Sequence, residues 1–116
     1  MRKNTQKKRC GEANTKAMPI LRRLSEAEAF HFYIDIGKPT GEKAGNLSDF
    51  FEKMRSVKLE SLVFHQQRKD FQSWVKGTLG DSKLARRIGR ISPSYDDNFR
   101  SKICTTIGKR IDELDL

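Results

Sequence analysis

Long apolar runs are missing from this chain. No segment approaches the roughly 20 consecutive apolar residues that a membrane span needs. The charged start, MRKNTQKKRCGEANTK, is not followed by the apolar stretch of a secretory signal. Cysteine is scarce: Cys10 and Cys104 are the only two, at no metal or redox spacing, so two unpaired thiols in a reducing cytoplasm are expected. The histidines are two as well. His31 with Asp35 four residues on could supply a metal pair if the segment were helical, but no third ligand is spaced to join them, and no metal or cofactor is expected. GKPTGEKAG, from Gly37 to Gly45, superficially suggests a phosphate loop. It lacks the Gly-Lys-Ser/Thr ending that supplies a phosphate lysine and a magnesium hydroxyl, so nucleotide hydrolysis is not indicated. Internal repeats and a second domain are also absent.

Charge is abundant and unevenly placed. With 35% apolar and 34% charged residues, the core has to be economical and the surface heavily charged. Of the net charge of +9, residues 1–25 hold eight Lys or Arg against Glu12, or +7, and the remaining 91 residues hold 16 basic and 14 acidic groups, or +2. The basicity is therefore mostly that of an N-terminal tail. A tail with Lys7, Lys8 and Arg9 in one run can neutralise phosphates and release counterions. It can equally be a solvated end, which is the commoner fate of basic blocks.

Read in order, residues 1–19 have no periodicity and are expected to be a disordered tail, with residues 20–116 forming a single helical domain. Ser25 and Glu28 have capping-box spacing. Phe30, Phe32, Ile34 and Ile36 alternate like a strand, but the box before them and Gly37 after them bracket a helix, and no second alternating run exists to pair with a strand. A helix is expected there, followed by a loop over KPTGEKAG. Asn46 is placed to cap the next helix, with Leu47, Phe50, Phe51, Met54 and Val57 on its apolar face. Leu59, Leu62 and Val63, then Phe71, Trp74, Val75 and Leu79, then Leu84, Ile88 and Ile91 mark a central trio of helices. Asp70 and Asp81 are candidate caps, and Gly80 a stop between the last two. Pro93 closes this group, and Asp96-Asp97 opens a last helix carrying Phe99, Ile103, Ile107, Ile111 and Leu114. The expectation is an all-α bundle or orthogonal array of about six short helices, with Trp74 buried among Phe71, Leu62, Phe50 and Ile88.

Two groups of polar residues stand out. His65, Arg68 and Asp70 lie close together in FHQQRKDF; they form either an anion-binding or proton-transferring cluster, or a helix cap with two side chains bonded to the turn. No nucleophile or second acid is spaced beside them, so catalysis is not expected. Lys83, Arg86, Arg87 and Arg90 recur at three, four and seven residues and line one helical face opposite Leu84, Ile88 and Ile91. Four like charges on one face suit a phosphate partner or a solvated surface. The would-be recognition helix of a helix-turn-helix, Ser82 to Gly89, is short and has no Asn or Gln to read bases, so RNA, ribosomal or DNA phosphates are better suited to it than base edges. The alternative is a regulatory or protein-interaction module docking a partner on apolar helix faces.

FHQQRKDFQSWVKGTLGDSKLA, with His65, Arg68, Asp70, Phe71, Trp74, Leu79, Gly80, Asp81, Leu84 and Ala85, resembles a family of small uncharacterised helical domains, mostly archaeal with bacterial members. FHFYIDIGKPTGEKAGNLSDF, with Gly37, Thr40, Gly41, Ala44, Leu47 and Phe50, is similar too, and the resemblance spans roughly Ala29 to Leu114. Relatives often have a glycine where this chain has Lys69. The resemblance implies kinship of fold and no particular reaction; it singles out Thr40, His65 and Arg68 as the polar members of the shared pattern.

Overall fold

The computed structural model describes residues 19–115. Two antiparallel strands, β1 (Phe30–Asp35) and β2 (Lys38–Ala44), precede helices α1 (Leu47–Ser56), α2 (Leu59–Gln67) and α3 (Asp70–Trp74). The last of these widens without a break into a π-helical turn, Val75–Leu79, and α4 (Ser82–Gly89) and α5 (Asp97–Leu114) complete the order. The domain is therefore mixed α/β, and the all-α expectation is wrong over residues 30–44. The expected tail, with Lys7, Lys8 and Arg9, lies outside the described residues. Ile20 is buried, so the core already includes residues just after Pro19.

The hairpin forms because two local signals have different reach. Ser25 and Glu28 do meet, the hydroxyl donating to Glu28 Oε1 at 3.2 Å, but the turn they close ends after Ala29 N–H bonds Ser25 O at 3.0 Å. From Phe30 the alternation takes over. Phe30 and Phe32 point inward and His31 outward, as a strand requires. The partner strand escapes a search for apolar alternation because only Ala44 of its seven residues is buried. It is a strand by virtue of pairing, with polar side chains suited to a sheet edge and Pro39 tolerated there. Gly37 turns the chain at φ 73°, a left-handed conformation that glycine adopts without steric cost. The pairing slips between His31 and Tyr33 and again before Asp35. At the first slip Thr40 Oγ1 donates to Phe32 O at 2.8 Å and accepts from Glu42 N–H at 3.0 Å, filling the interrupted ladder.

The helices close over the inner face of this hairpin. Capping is as local spacing requires: Asn46 Oδ1 accepts from Asp49 N–H at 2.8 Å, Asp81 Oδ1 from Leu84 N–H at 3.1 Å, and Asp96 Oδ1 from Phe99 N–H at 3.2 Å. Helix ends facing neighbours are satisfied by long side chains. Arg100 donates to Met54 O and Val57 O at 2.8 and 2.7 Å, and Gln66 Nε2 to Ile88 O and Ile91 O at 2.9 and 2.7 Å. The core is one continuous cluster whose centre is aromatic. Trp74 lies 4.8 Å from Phe50 and 5.5 Å from Phe30, ring to ring, and its indole N–H donates to Glu28 O at 2.8 Å. Phe50 is one of the four neighbours expected for Trp74; Phe30 arrives from the strand.

Candidate functional site

The sequence FHQQRKDF becomes a corner. Helix α2 stops at Gln67, Lys69 adopts the left-handed conformation at φ 64°, and α3 starts at Asp70. Lys69 is the one described non-glycine residue in that region of φ. Asp70 is the first residue of α3 and makes no capping bond, contrary to the expectation for it; the corner instead aims its carboxylate back at α2. There Oδ2 accepts from His65 Nδ1–H at 2.8 Å and from Arg68 Nε–H at 3.1 Å. His65 is almost completely buried, ringed by Phe30, Phe64 and Phe71, and its Nε2 accepts the Tyr33 backbone N–H from β1 at 2.8 Å.

These bonds dictate the imidazole's form. An amide N–H can bond only to a lone pair, so Nε2 is unprotonated and the proton sits on Nδ1, facing Asp70. Burial holds the His65 pKa below its ordinary value, outweighing the hydrogen bond and charge of Asp70, which push it up; Arg68 adds to the lowering. With both nitrogens engaged, the ring has no lone pair with which to take a proton from a substrate. It is a rivet joining β1 to the α2–α3 corner.

Of the residues singled out by the sequence, His65, Arg68 and Asp70 are thus brought together. Thr40 is not among them; it serves the hairpin and borders a different cleft with Ile34, Pro39 and Val57. His31 and Asp35 are spread along a strand, where four residues span about 13 Å, too far for one metal ion. Among the described residues no three His, Cys, Asp or Glu side chains gather as a metal site. Beside the corner lies a groove of about 540 Å³, lined by the polar Arg68, Asp70, His31 and Ser73 and by the aromatic Phe30, Tyr33, Phe64 and Trp74. The sequence missed this groove because β1 supplies one wall.

The basic face of α4 divides in two. Lys83, Arg86 and Arg90 are exposed and make no ion pair among the described residues. Arg87 is half-buried and bonded to Glu113 Oε2 at 3.0 Å. Glu113 also accepts from Arg110 Nη1 at 2.9 Å, and Arg110 Nε donates to the buried Asp81 Oδ2 at 2.8 Å, so Arg87 belongs to a network fastening α4 to α5. Where α4 ends, Arg90 and Lys102 both line a groove of about 470 Å³, together with Ser92, Ser101, Thr105 and Thr106. Lys102, Thr106, Lys109 and Glu113 lie on one stripe of α5, and the Glu113–Arg87 bond turns that stripe toward α4. Lys102 and Lys109 carry no sequence signal of their own; their relevance depends on the packing of the two helices.

The apolar helix faces are consumed by the core. Among the described residues, Ile36 and Tyr95 are the large apolar side chains left well exposed. No helix there is long and apolar enough to cross a membrane.

The class defined by these features is a small mixed α/β domain, helices closed over a hairpin and riveted to it by a buried histidine, with a mixed polar–aromatic groove and a separate basic face. The chain belongs to a family of unknown function: the model of the Family of unknown function DUF5752 matches residues 12–108. That match begins well before the Ala29 at which the resemblance in the sequence starts. No curated protein and no solved structure matches the chain.

Proposed function

We propose that this domain binds nucleic-acid phosphates without catalysis, through the outer face of α4 and the adjoining stripe of α5. The observation that carries the reading is the clustering of cations that sit on no carboxylate. Lys38, Lys58, Lys69, Lys76 and Lys109 have no ion pair among the described residues either, but Lys83, Arg86 and Arg90, also unpaired there, recur three and seven residues apart on one short helix, and Arg90 lines one groove with the unpaired Lys102. Cations left unpaired beside one another repel, and a polyanion relieves that repulsion while releasing its counterions. The hydroxyls between Arg90 and Lys102 add neutral donors of the kind that position phosphates. An eight-residue helix without amide side chains on its outer face is suited to backbone contact more than to base reading. The basic run at Lys7–Arg9 would add to the same attraction.

Amide chemical-shift mapping with a short oligoribonucleotide and the matching duplex DNA at low salt tests this. The expected shifts cluster at residues 83–92 and 101–109 and disappear when salt is raised. Shifts confined to the α2–α3 corner, or none at all, would reject the reading and favour the alternative, a protein-interaction module. That alternative has less to bind with, since the helix faces it would use are buried.

A further inference from the structure

The groove at the α2–α3 corner is built in a way that phosphate binding does not use. Its polar edge carries two opposite charges held rigidly side by side. Asp70 Oδ2 is occupied by His65 and by Arg68 Nε, and its other oxygen, Oδ1, has no donor among the described residues. The Arg68 guanidinium is fixed by that bond and by its position 5.2 Å over the Phe64 ring. Its Nη1 and Nη2 have no acceptor among the described residues. The pair rests on His65, which is buried and anchored to the sheet, so the acceptor and the donor edge are preorganised.

Phe30, Tyr33, Phe64 and Trp74 are also in the lining, and Ile36, which lines the groove from the hairpin turn, is 76% exposed. A volume of about 540 Å³ suits a small molecule. Charge decides which kind. The Arg68–Asp70 pair is neutral as a unit, so a phosphate dianion would face the Asp70 carboxylate, and a lone anion or lone cation would meet one partner and be repelled by the other. A molecule with an ammonium and a carboxylate on one carbon matches both.

We propose that the groove binds a free α-amino acid with an apolar or aromatic side chain, its ammonium on Asp70 Oδ1, its carboxylate on Arg68 Nη1 and Nη2, and its side chain against Phe64, Tyr33 and Ile36. Calorimetric titration of the full chain with L-phenylalanine and L-leucine tests this, beside N-acetyl-L-phenylalanine, which lacks the ammonium, and phenethylamine, which lacks the carboxylate. At least one amino acid is expected to bind saturably at micromolar to millimolar concentration, with both analogues weaker by about tenfold or more, since each leaves one fixed charge unmatched. Arg68→Met is expected to abolish binding while melting stays cooperative. Ile36→Asp, at an exposed turn where folding is not at stake, is expected to weaken it severalfold. Absence of saturable binding of either amino acid, equal binding of an analogue, or unchanged binding by both variants would each overturn the proposal.

Discussion

Replacing His65 by phenylalanine keeps a ring of similar size among Phe30, Phe64 and Phe71 but removes both nitrogen contacts. The Tyr33 N–H, which now donates at 2.8 Å, is left without an acceptor next to the core, a loss of about 1–3 kcal/mol. The Asp70 carboxylate loses a charge-assisted bond of 2.8 Å, so the sum is about 2–4 kcal/mol. For a domain of this size that corresponds to a fall in Tm on the order of 10–25 °C. The pH dependence isolates the cause. Because the folded-state pKa of His65 lies below the ordinary 6.5, the unfolded chain binds more protons in the interval between the two values. His65 therefore contributes stability that is fully present above about pH 6.5 and is lost as the pH falls toward its folded pKa, at no more than about 1.4 kcal/mol per pH unit. Glu26, Asp49, Asp96 and Glu113 are held below the usual carboxylate range, by Lys43, Arg23, the Ser94 hydroxyl and Arg87 in turn, and so titrate below this window. Urea unfolding at pH 7.5, 6.5 and 5.5 is the assay. Wild type should lose stability across it and His65→Phe should be flatter from a lower starting value. Parallel slopes in the two proteins would refute the neutral, doubly bonded imidazole.

Other consequences follow from the packing. Trp74→Ala removes an aromatic in contact with Phe50 and Phe30 and should cost about 3–5 kcal/mol, whereas Trp74→Phe, which mainly orphans the Glu28 carbonyl, should cost about 1 kcal/mol more than nothing; melts of equal Tm for both would contradict the central role of the ring. Lys69→Gly relieves a left-handed non-glycine residue and is expected to stabilise by about 0.5–1 kcal/mol despite glycine's freer unfolded chain, and a lower Tm would argue against the corner geometry. Asp81→Ala takes the cap from α4 and one of the two carboxylates from Arg110, which keeps Glu113, so denaturant unfolding should show a loss of about 2–4 kcal/mol. Asp81→Asn, which can keep the cap, should lose less.

What could be read from the sequence was what depends on neighbours along the chain. Asn46, Asp81 and Asp96 cap their helices because a side-chain oxygen reaches an amide three residues on, whatever the tertiary fold. The hairpin was hidden for the opposite reason. Lys38–Ala44 buries almost nothing and becomes a strand only through hydrogen bonds to β1, and the capping spacing of Ser25 and Glu28 closes one turn that the alternation of Phe30 and Phe32 then overrides. The grouping of His65, Arg68 and Asp70 was legible from spacing, but not the Tyr33 amide that decides the state of the imidazole, 32 residues away in sequence. The basic face was legible as four residues. Only the packing of α5 shows that Arg87 is tied to Glu113 and that Lys102 lines one groove with Arg90.

The claim that phosphates are held by the α4–α5 face is tested most directly by the salt dependence of binding to a duplex DNA. Each phosphate neutralised contributes about 0.9 to the slope of log K against log salt. The full chain, a chain lacking residues 1–18, and a Lys83→Ala/Arg86→Ala/Arg90→Ala variant should be compared; Arg87 is left in place because it fastens α4 to α5. The triple variant is expected to fold as wild type does, to bind more weakly, and to show a slope smaller by about 2–3, while the shortened chain keeps that contribution. An unchanged slope in the triple variant, with binding lost on removal of residues 1–18, would contradict the claim and return the α4 face to an ordinary solvated surface.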